Sequence, residues 1–513
     1  MIIYDIYLKK RFIMKLTITY KDQVKCIING LTAQDKDLLY KEFSVFIPNA
    51  RYMPKYKLGI FDGRIHYFTL TNQTYVNLLP IIFSKLDMSK YEVEYIYPDD
   101  WISDPDLGND VNEDFFAPQV WYKGHRLEGQ PIKLEEHQIR IINTCIHNHR
   151  CLVDSCTSSG KTIISAALAK LCQPFGKVIL VVPSQDLCLQ SADEFKLLGL
   201  DTGIVGCGLR EFNHDIIVCT WQTINSLERR TKGTKKVKEN PLSAEELKTL
   251  KSGVIALIFD ECHQSKSSEI QKVITETFKD VPVKWGLTGT IPKEKSEYYC
   301  LLTSLGDKAV SVKSHELQEK GFMAQCNINC IRLTDDSIFM DYEDEVNYLS
   351  TNDKRLSYIA KLIKSITDSG NTLVLLNRII TGEILERKLN DLGVDVVFLQ
   401  GSVSIKKRKE QYKEVNDVDN KCILATSQIA STGINIPRLF NLVILDFGKS
   451  FTRSIQSIGR VLRLAKDKTS ANVFDISSIL KYSRKHFNER IKYYEDEQHP
   501  YNIYKIDNWK NNT

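Results

Sequence analysis

The run SCTSSGKT at 155–162 lies between a strand-like run, RCLVD, and a helix-like run, IISAALAKL. In that setting backbone N–H groups and a helix N-terminus converge on one point, which is how a phosphate loop holds its anion. Gly160 lets the backbone approach closely. Lys161 reaches the β- and γ-phosphates of a nucleotide, and Thr162 offers its hydroxyl to a magnesium ion. Thr157, Ser158 and Ser159 complete the cradle. Ser155 stands where the strict pattern has glycine, and so short a pattern also recurs by chance.

About 100 residues further on, IALIFDECHQ at 255–264 is an apolar run that ends in two carboxylates. Asp260 is placed to hold magnesium and Glu261 to orient or deprotonate an attacking water. Acidic strand ends are common, but this one follows a phosphate loop within an alternating α/β region. QSIGRVLR at 456–463 opens on Gln456 and carries Arg460 and Arg463 three apart, on one helical face. Arginines so placed can neutralise charge on a transferring phosphoryl group. A surface helix would also carry them, so it is their order after the two other motifs that gives them meaning.

These residues need elements to hold them. From about residue 130, short β-branched runs alternate with amphipathic helical runs: RCLVD, KVILVVP, DIIVCT, VIALIFDE and KWGLTGT. A second series begins near 320 with NTLVLLN, VDVVFLQ, CILAT, LVILDF and ANVFDI. Such alternation predicts parallel sheets with crossover helices, present twice. HELQEKGFMAQCNINCIRL between them reads as a hinge region. Residues 14–100 mix strand-like runs (KLTITY, VKCIING, RIHYFTL, YEVEYIY) with the helix-like DKDLLYKEFSVF, a small α+β unit. DDWISDPDLGNDVNEDFF then reads as an acidic linker or exposed loop. The expected domains are 1–115, an N-terminal α+β domain with acidic linker, then 116–315 and 316–513.

Composition narrows the classes further. The chain has 513 residues, 42% of them hydrophobic, enough for about three packed domains and against global disorder. A net charge of +5 permits a nucleic-acid partner without arguing for one. The 13 cysteines form no C-x-x-C pair, which points to a reducing compartment and away from a disulfide framework. Cys145, His147, His149 and Cys151 alternate, but without zinc-finger spacing. Cys326 and Cys330 read as core or strand residues. No apolar run approaches the roughly 20 residues of a membrane span. The N-terminus lacks a signal-peptide pattern, and Met14 reads as a second candidate start. RRTKGTKKVK at 229–238 is either a solvated loop or a contact to phosphates.

The series of motifs resembles superfamily 2 helicases and translocases over roughly residues 130–480. The resemblance implies two RecA-like domains with ATP and Mg2+ between them. It makes Gln138 in KLEEHQ the adenine contact, although Glu135 stands where many relatives have arginine. VVPSQDLCLQ at 181–190, with Pro183, and CTWQT at 219–223, with Thr220, Trp221 and Gln222, are similar to the strand-contacting motifs Ia and Ib. LTGT at 287–290 resembles motif III, where Thr288 and Thr290, with His263 of DECH, couple the ATP state to the strand. LVLLN at 373–377 resembles motif IV. ATSQIASTGINIP at 425–437 resembles motif V, with Thr426, Thr432 and Gly433 on backbone phosphates and Asn435 by the cleft.

A narrower resemblance reaches the N-terminus. ARYMPKYKLGIFDGRIHYF at 50–68 is similar to the N-terminal domain of the UvsW-type phage DNA helicases, with Phe61 where that family has tryptophan. It implies a motor for branched DNA and R-loops, monomeric, in the cytoplasm of an infected bacterium. The residues leave two readings open. Arg51, Lys55, Lys57, Arg64 and His66 can meet phosphates while Tyr52, Tyr56, Phe61 and Tyr67 stack on bases. Alternatively the rings face a core and Asp62-Gly63 is a hairpin turn. An RNA helicase, a duplex translocase and a non-hydrolysing clamp share some of these features. Intact Lys161, Glu261 and Arg460 argue against the clamp.

Overall fold

The computed structural model describes residues 13–511, apart from 124, 126, 157, 233–240, 264–267, 401–410, 412–413, 416–417, 427–435, 437, 447–467 and 469. The chain divides into two compact units. One takes in 1–119, 132–154 and 162–311, the other 120–131, 155–161 and 312–513.

The first unit begins with β1 (Met14–Tyr20), β2 (Lys25–Asn29), β3 (Ser44–Phe46), β4 (Arg64–His66), β5 (Gln73–Tyr75) and β6 (Tyr91–Ile96). Four of them form a mixed sheet in the order β5-β2-β1-β6, and β3 pairs with β4 separately. Alternation in β1 buries Leu16 and Ile18 on the face covered by the helix Ala33–Glu42, whose Leu39 is also buried. Thr32 caps that helix by accepting from the Asp35 N–H at 3.1 Å. The helix stops at Glu42, so the end of DKDLLYKEFSVF is β3 and not helix. The core of this sheet also takes in Leu302 from the helix Lys295–Leu305.

The acidic segment is stitched down along the helix Glu136–His147. His147 meets Asp110 at 2.7 Å, His149 reaches the Pro105 carbonyl at 3.0 Å, and the Val111 N–H donates to Asn143 at 2.8 Å. Leu107, Val111 and Phe116 are buried beneath it. The alternating Cys145, His147, His149 and Cys151 are therefore split between core and strap, since both thiols are buried.

Eight described strands follow: β7 (Arg150–Ser155), β8 (Lys177–Val182), β9 (Thr202–Gly206), β10 (Leu209–Arg210), β11 (Ile216–Thr220), β12 (Val254–Asp260), β13 (Val283–Thr288) and β14 (Lys308–Val312). They are ordered β10-β9-β11-β8-β12-β13-β7-β14, and the inner pairings from β9 to β7 are parallel. Strands such as β11 are buried at every residue because helices cover both faces.

The second unit holds β15 (Gln325–Leu333), β16 (Thr372–Leu376), β17 (Val396–Leu399), β18 (Cys422–Thr426), β19 (Asn441–Leu445), β20 (Ser470–Ser478) and β21 (Tyr501–Ile506). Their order is β17-β18-β16-β19-β20-β15-β21, parallel throughout. This corrects the hinge reading of 315–333. Its second half is β15, bonded along its length to β20 and from Ile328 onward to β21, and burying Cys326, Ile328 and Cys330 by alternation. The C-terminal run supplies β21 and then Trp509, buried, with its indole N–H on the Thr334 carbonyl at 2.6 Å. Among the described residues no helix is long and apolar enough to cross a membrane.

Candidate active site and strand-facing surface

In parallel sheets, ligands are met at the carboxyl ends of the strands. In the first sheet those ends carry the candidate residues: β7 leads into the phosphate loop, β8 into Pro183, and β11 into Trp221. β12 ends at Asp260 and β13 at Thr288. β7 and β12 are parallel and separated by β13 alone, so the loops after them leave the same edge.

Hydroxyls shape the phosphate loop. Ser155, fully buried, donates to the Ser159 hydroxyl at 2.6 Å, which donates to the Cys156 carbonyl at 2.8 Å. Ser158 and Gly160 have φ of +70° and +82°, and left-handed residues at this spacing are the backbone signature of an anion nest. The helix Lys161–Cys172 starts at once, with Thr162 in its first turn. Thr157 lies outside the described residues. Gln138 sits in the first turn of the helix Glu136–His147, where its amide oxygen accepts from the Glu135 N–H at 3.0 Å in a capping box.

The end of β12 is wired to the end of β13. The Glu261 N–H donates to Asp260 Oδ1 at 2.9 Å, and Glu261 has a φ of +50°, a costly value for a side chain of its size. His263 Nδ1 lies 2.9 Å from the Thr288 hydroxyl and 3.4 Å from Glu261 Oε2. The Thr288 hydroxyl donates to the Thr290 carbonyl and accepts from the Thr290 N–H, both at 3.1 Å. The structure thus brings Glu261, His263, Thr288 and Thr290 together, with His263 hydrogen-bonded to Thr288 and close to the Glu261 carboxylate.

Of the strand-facing candidates, Pro183 and Trp221 line one shallow cleft together with Asp260 and Glu261. Gln222, exposed, donates to the Pro183 carbonyl at 3.2 Å. Thr220 is buried and caps its helix, meeting the Thr223 N–H at 3.4 Å, which gives it a local backbone role. At the N-terminus Arg51, Lys55, Lys57 and Arg64 are exposed, while the rings divide. Tyr52 is 78% exposed, Tyr56 and Phe61 are half-buried, and Tyr67 is core. Asp62-Gly63 does not form the hairpin tip; it returns the chain into β4, with the Asp62 carboxylate accepting from the Arg64 N–H at 2.9 Å.

In the second sheet Thr426 ends β18 and is buried. Asn377 and Arg378 follow β16 and line a cleft with Tyr342, Thr381 and Asp446. Arg355, fully buried, holds Asp446 at 2.7 Å and donates to Ser478 and to the Leu349 carbonyl. Sequence reading missed this pair, although Arg355 shares a helical face with Ile359 and Ile363. Thr432, Gly433, Asn435, Gln456, Arg460 and Arg463 lie outside the described residues, as does most of the basic run after Lys232.

Known proteins match this arrangement in both halves. Residues 131–293 match the family model of the type III restriction enzyme res subunit, and 354–465 that of the helicase conserved C-terminal domain. The chain is 26% identical over 495 residues to the ATP-dependent DNA helicase UvsW of enterobacteria phage T4, covering 90% of this chain and 93% of that one. Two solved structures share the fold. A fragment of a putative HsdR subunit of a type I restriction enzyme from Vibrio vulnificus has a TM-score of 0.53 at 18% identity, over 72% of this chain and 67% of its own. Saccharomyces cerevisiae Dbp5 bound to RNA and ADP BeF3 has a TM-score of 0.52 at 18% identity, over 74% and 92%. Together the two family models span more than half of the sequence, and with tandem parallel sheets bearing the motifs in order, the chain belongs to the superfamily 2 helicases, ATP hydrolases that unwind nucleic acid.

Proposed function

We propose that the chain is a DNA helicase or translocase that acts on branched DNA and R-loops, in branch migration, fork regression and recombinational repair, in the cytoplasm of a phage-infected bacterium. The observation that carries this is the extent of the similarity to the phage T4 helicase. It covers nine-tenths of the chain and so reaches beyond the motor into the N-terminal part, where Arg51, Lys55, Lys57 and Arg64 are exposed. The proposed domain limits are 1–115, 116–315 and 316–513.

In this reading the loop at 155–161 grips the phosphates of ATP through its nest and Lys161. Asp260 and Thr162 hold Mg2+; a carboxylate and a hydroxyl at one sheet edge suit a hard cation that keeps most of its waters. When bound, the ion offsets phosphate charge. Glu261 orients the attacking water and receives its proton. His263 fixes the Glu261 carboxylate and links it to Thr288, so a change at the nucleotide is felt at the end of β13. Arg460 and Arg463 are assigned the charge-neutralising role. Pro183, Trp221, Gln222, Thr426, Thr432 and Gly433 are assigned to the strand.

One panel tests this. ATPase and unwinding are measured on four-way junctions, forks, R-loops, flush duplex, and single strands of DNA and RNA, with Lys161→Ala as the inactive control. Branched DNA is expected to give the highest unwinding rates. Equal rates on all substrates, or stimulation by RNA alone, would overturn the assignment.

A further inference from the structure

The connection between β3 and β4 is an ordered projection with an apolar crest. Tyr52 is 78% exposed, Leu58 72% and Ile60 74%, with Met53 also exposed. Single exposed apolar side chains are ordinary, but several large ones crowded onto one loop mark a contact surface.

The loop is built to hold them out. Its backbone closes on itself: Lys57 N–H donates to Met53, Leu58 to Pro54, and Ile60 and Phe61 both to the Lys55 carbonyl. Gly59, at φ +68°, turns the chain between Leu58 and Ile60. The base is clamped by the Ile47 N–H on the Gly63 carbonyl at 2.8 Å and by the Tyr56 ring edge-on to Phe46. A Cβ at Gly63 would lie 2.6 Å from the Phe46 ring, so this position requires glycine. The half-buried rings therefore support the loop, and Leu58 and Ile60 form its crest.

The charges around the crest point to its partner. Arg51, Lys55, Lys57 and Arg64 are exposed, and the one carboxylate in the loop, Asp62, is engaged by His66 at 2.8 Å and by the Arg64 N–H. An aliphatic crest in a cationic collar fits a phosphate-flanked gap between bases. Leucine and isoleucine are side chains that enter such steps, partly unstacking them, while arginine and lysine hold the flanking phosphates.

We propose that Leu58 and Ile60 act as an apolar wedge that enters the terminal base step of a DNA branch point. This rests on the branched-DNA reading above and adds the residues that open the step. Because the crest is held by backbone hydrogen bonds, little entropy is lost when it docks.

The test uses the full chain and a fork carrying 2-aminopurine at its terminal paired step. Wild-type protein should raise 2-aminopurine fluorescence on binding, without ATP. Leu58→Gln with Ile60→Gln should abolish that rise and slow fork unwinding about tenfold, leaving ATPase on single-stranded DNA unchanged. Leu58→Met with Ile60→Met should restore both signals. If wild type prefers forks but the glutamine variant keeps the fluorescence rise and the unwinding rate, the wedge is wrong and the crest serves another partner, such as a protein. If wild type shows no preference for forks over flush duplex, the branched-DNA reading itself has failed. Unchanged ATPase in the glutamine variant shows that it is folded.

Discussion

The two parallel sheets handle buried polar groups in opposite ways. At the edge of the first, single contacts at 2.9 to 3.4 Å link Glu261, His263, Thr288 and Thr290, and both His263 contacts use the same ring nitrogen. In the second, guanidinium groups clamp carboxylates. Arg490 binds Asp475 through two nitrogens at 2.7 and 2.8 Å, and the Tyr494 hydroxyl adds a third bond at 3.0 Å. Burial works against the charge on Arg490, but Asp475 overrides it and pushes its pKa up. A chain of single contacts can be rearranged by a ligand, whereas a buried bidentate pair cannot be broken cheaply. The first sheet is therefore suited to switching and the second to serving as a fixed frame.

The largest effect that would sharpen this contrast is on catalysis. Glu261→Gln keeps the shape but removes the proposed base, and should lower ATPase kcat by about 10^2 to 10^4 with the melting temperature nearly unchanged. Wild-type turnover in this variant would refute the assignment. The converse effect belongs to the second sheet. Arg490→Met strands the Asp475 carboxylate, which is fully buried, and should cost about 3–5 kcal/mol in urea unfolding. A smaller loss than about 1 kcal/mol would mean that the pair is not a fixed frame.

How much of this could be read beforehand depends on what each motif rests on. The runs VIALIFDE and KWGLTGT showed both strands and their carboxyl ends, because continuous apolar runs followed by polar residues have few alternatives in a parallel sheet. The chain from His263 to Thr288 needed the order β12-β13, which no local pattern encodes. The segment 315–333 looked like a hinge because its alternating pattern belongs to β15, whose partners β20 and β21 lie more than 130 residues later. Aromatic residues near Arg51 were visible, but only the fold shows that Tyr56 supports the loop while Leu58 and Ile60 stand out.

A medium effect tests the linkage itself. His263→Ala removes the bridge between Glu261 and Thr288. It should lower the unwinding rate about tenfold, with ATPase changed less than about threefold. If both rates fall together, His263 serves hydrolysis and not transmission, and the first sheet loses its claim to be the switching half.

The smallest effect concerns the departure from the strict phosphate-loop pattern. Ser155 is fully buried and its hydroxyl donates to Ser159, which in turn donates to the Cys156 carbonyl. Ser155→Gly removes the first of these bonds, worth about 1 kcal/mol, and frees the backbone at the strand end. The second bond survives, because the Ser159 proton was already directed at Cys156. The loop should therefore keep its shape, with the KM for ATP raised less than about threefold and kcat unaltered. Ser159→Ala breaks both bonds and leaves the Ser155 hydroxyl buried without its acceptor, so its KM should rise more than that of Ser155→Gly. If the two variants ranked the other way, the serine at 155 would be acting on the nucleotide directly, and the hydroxyl chain would be incidental to the loop.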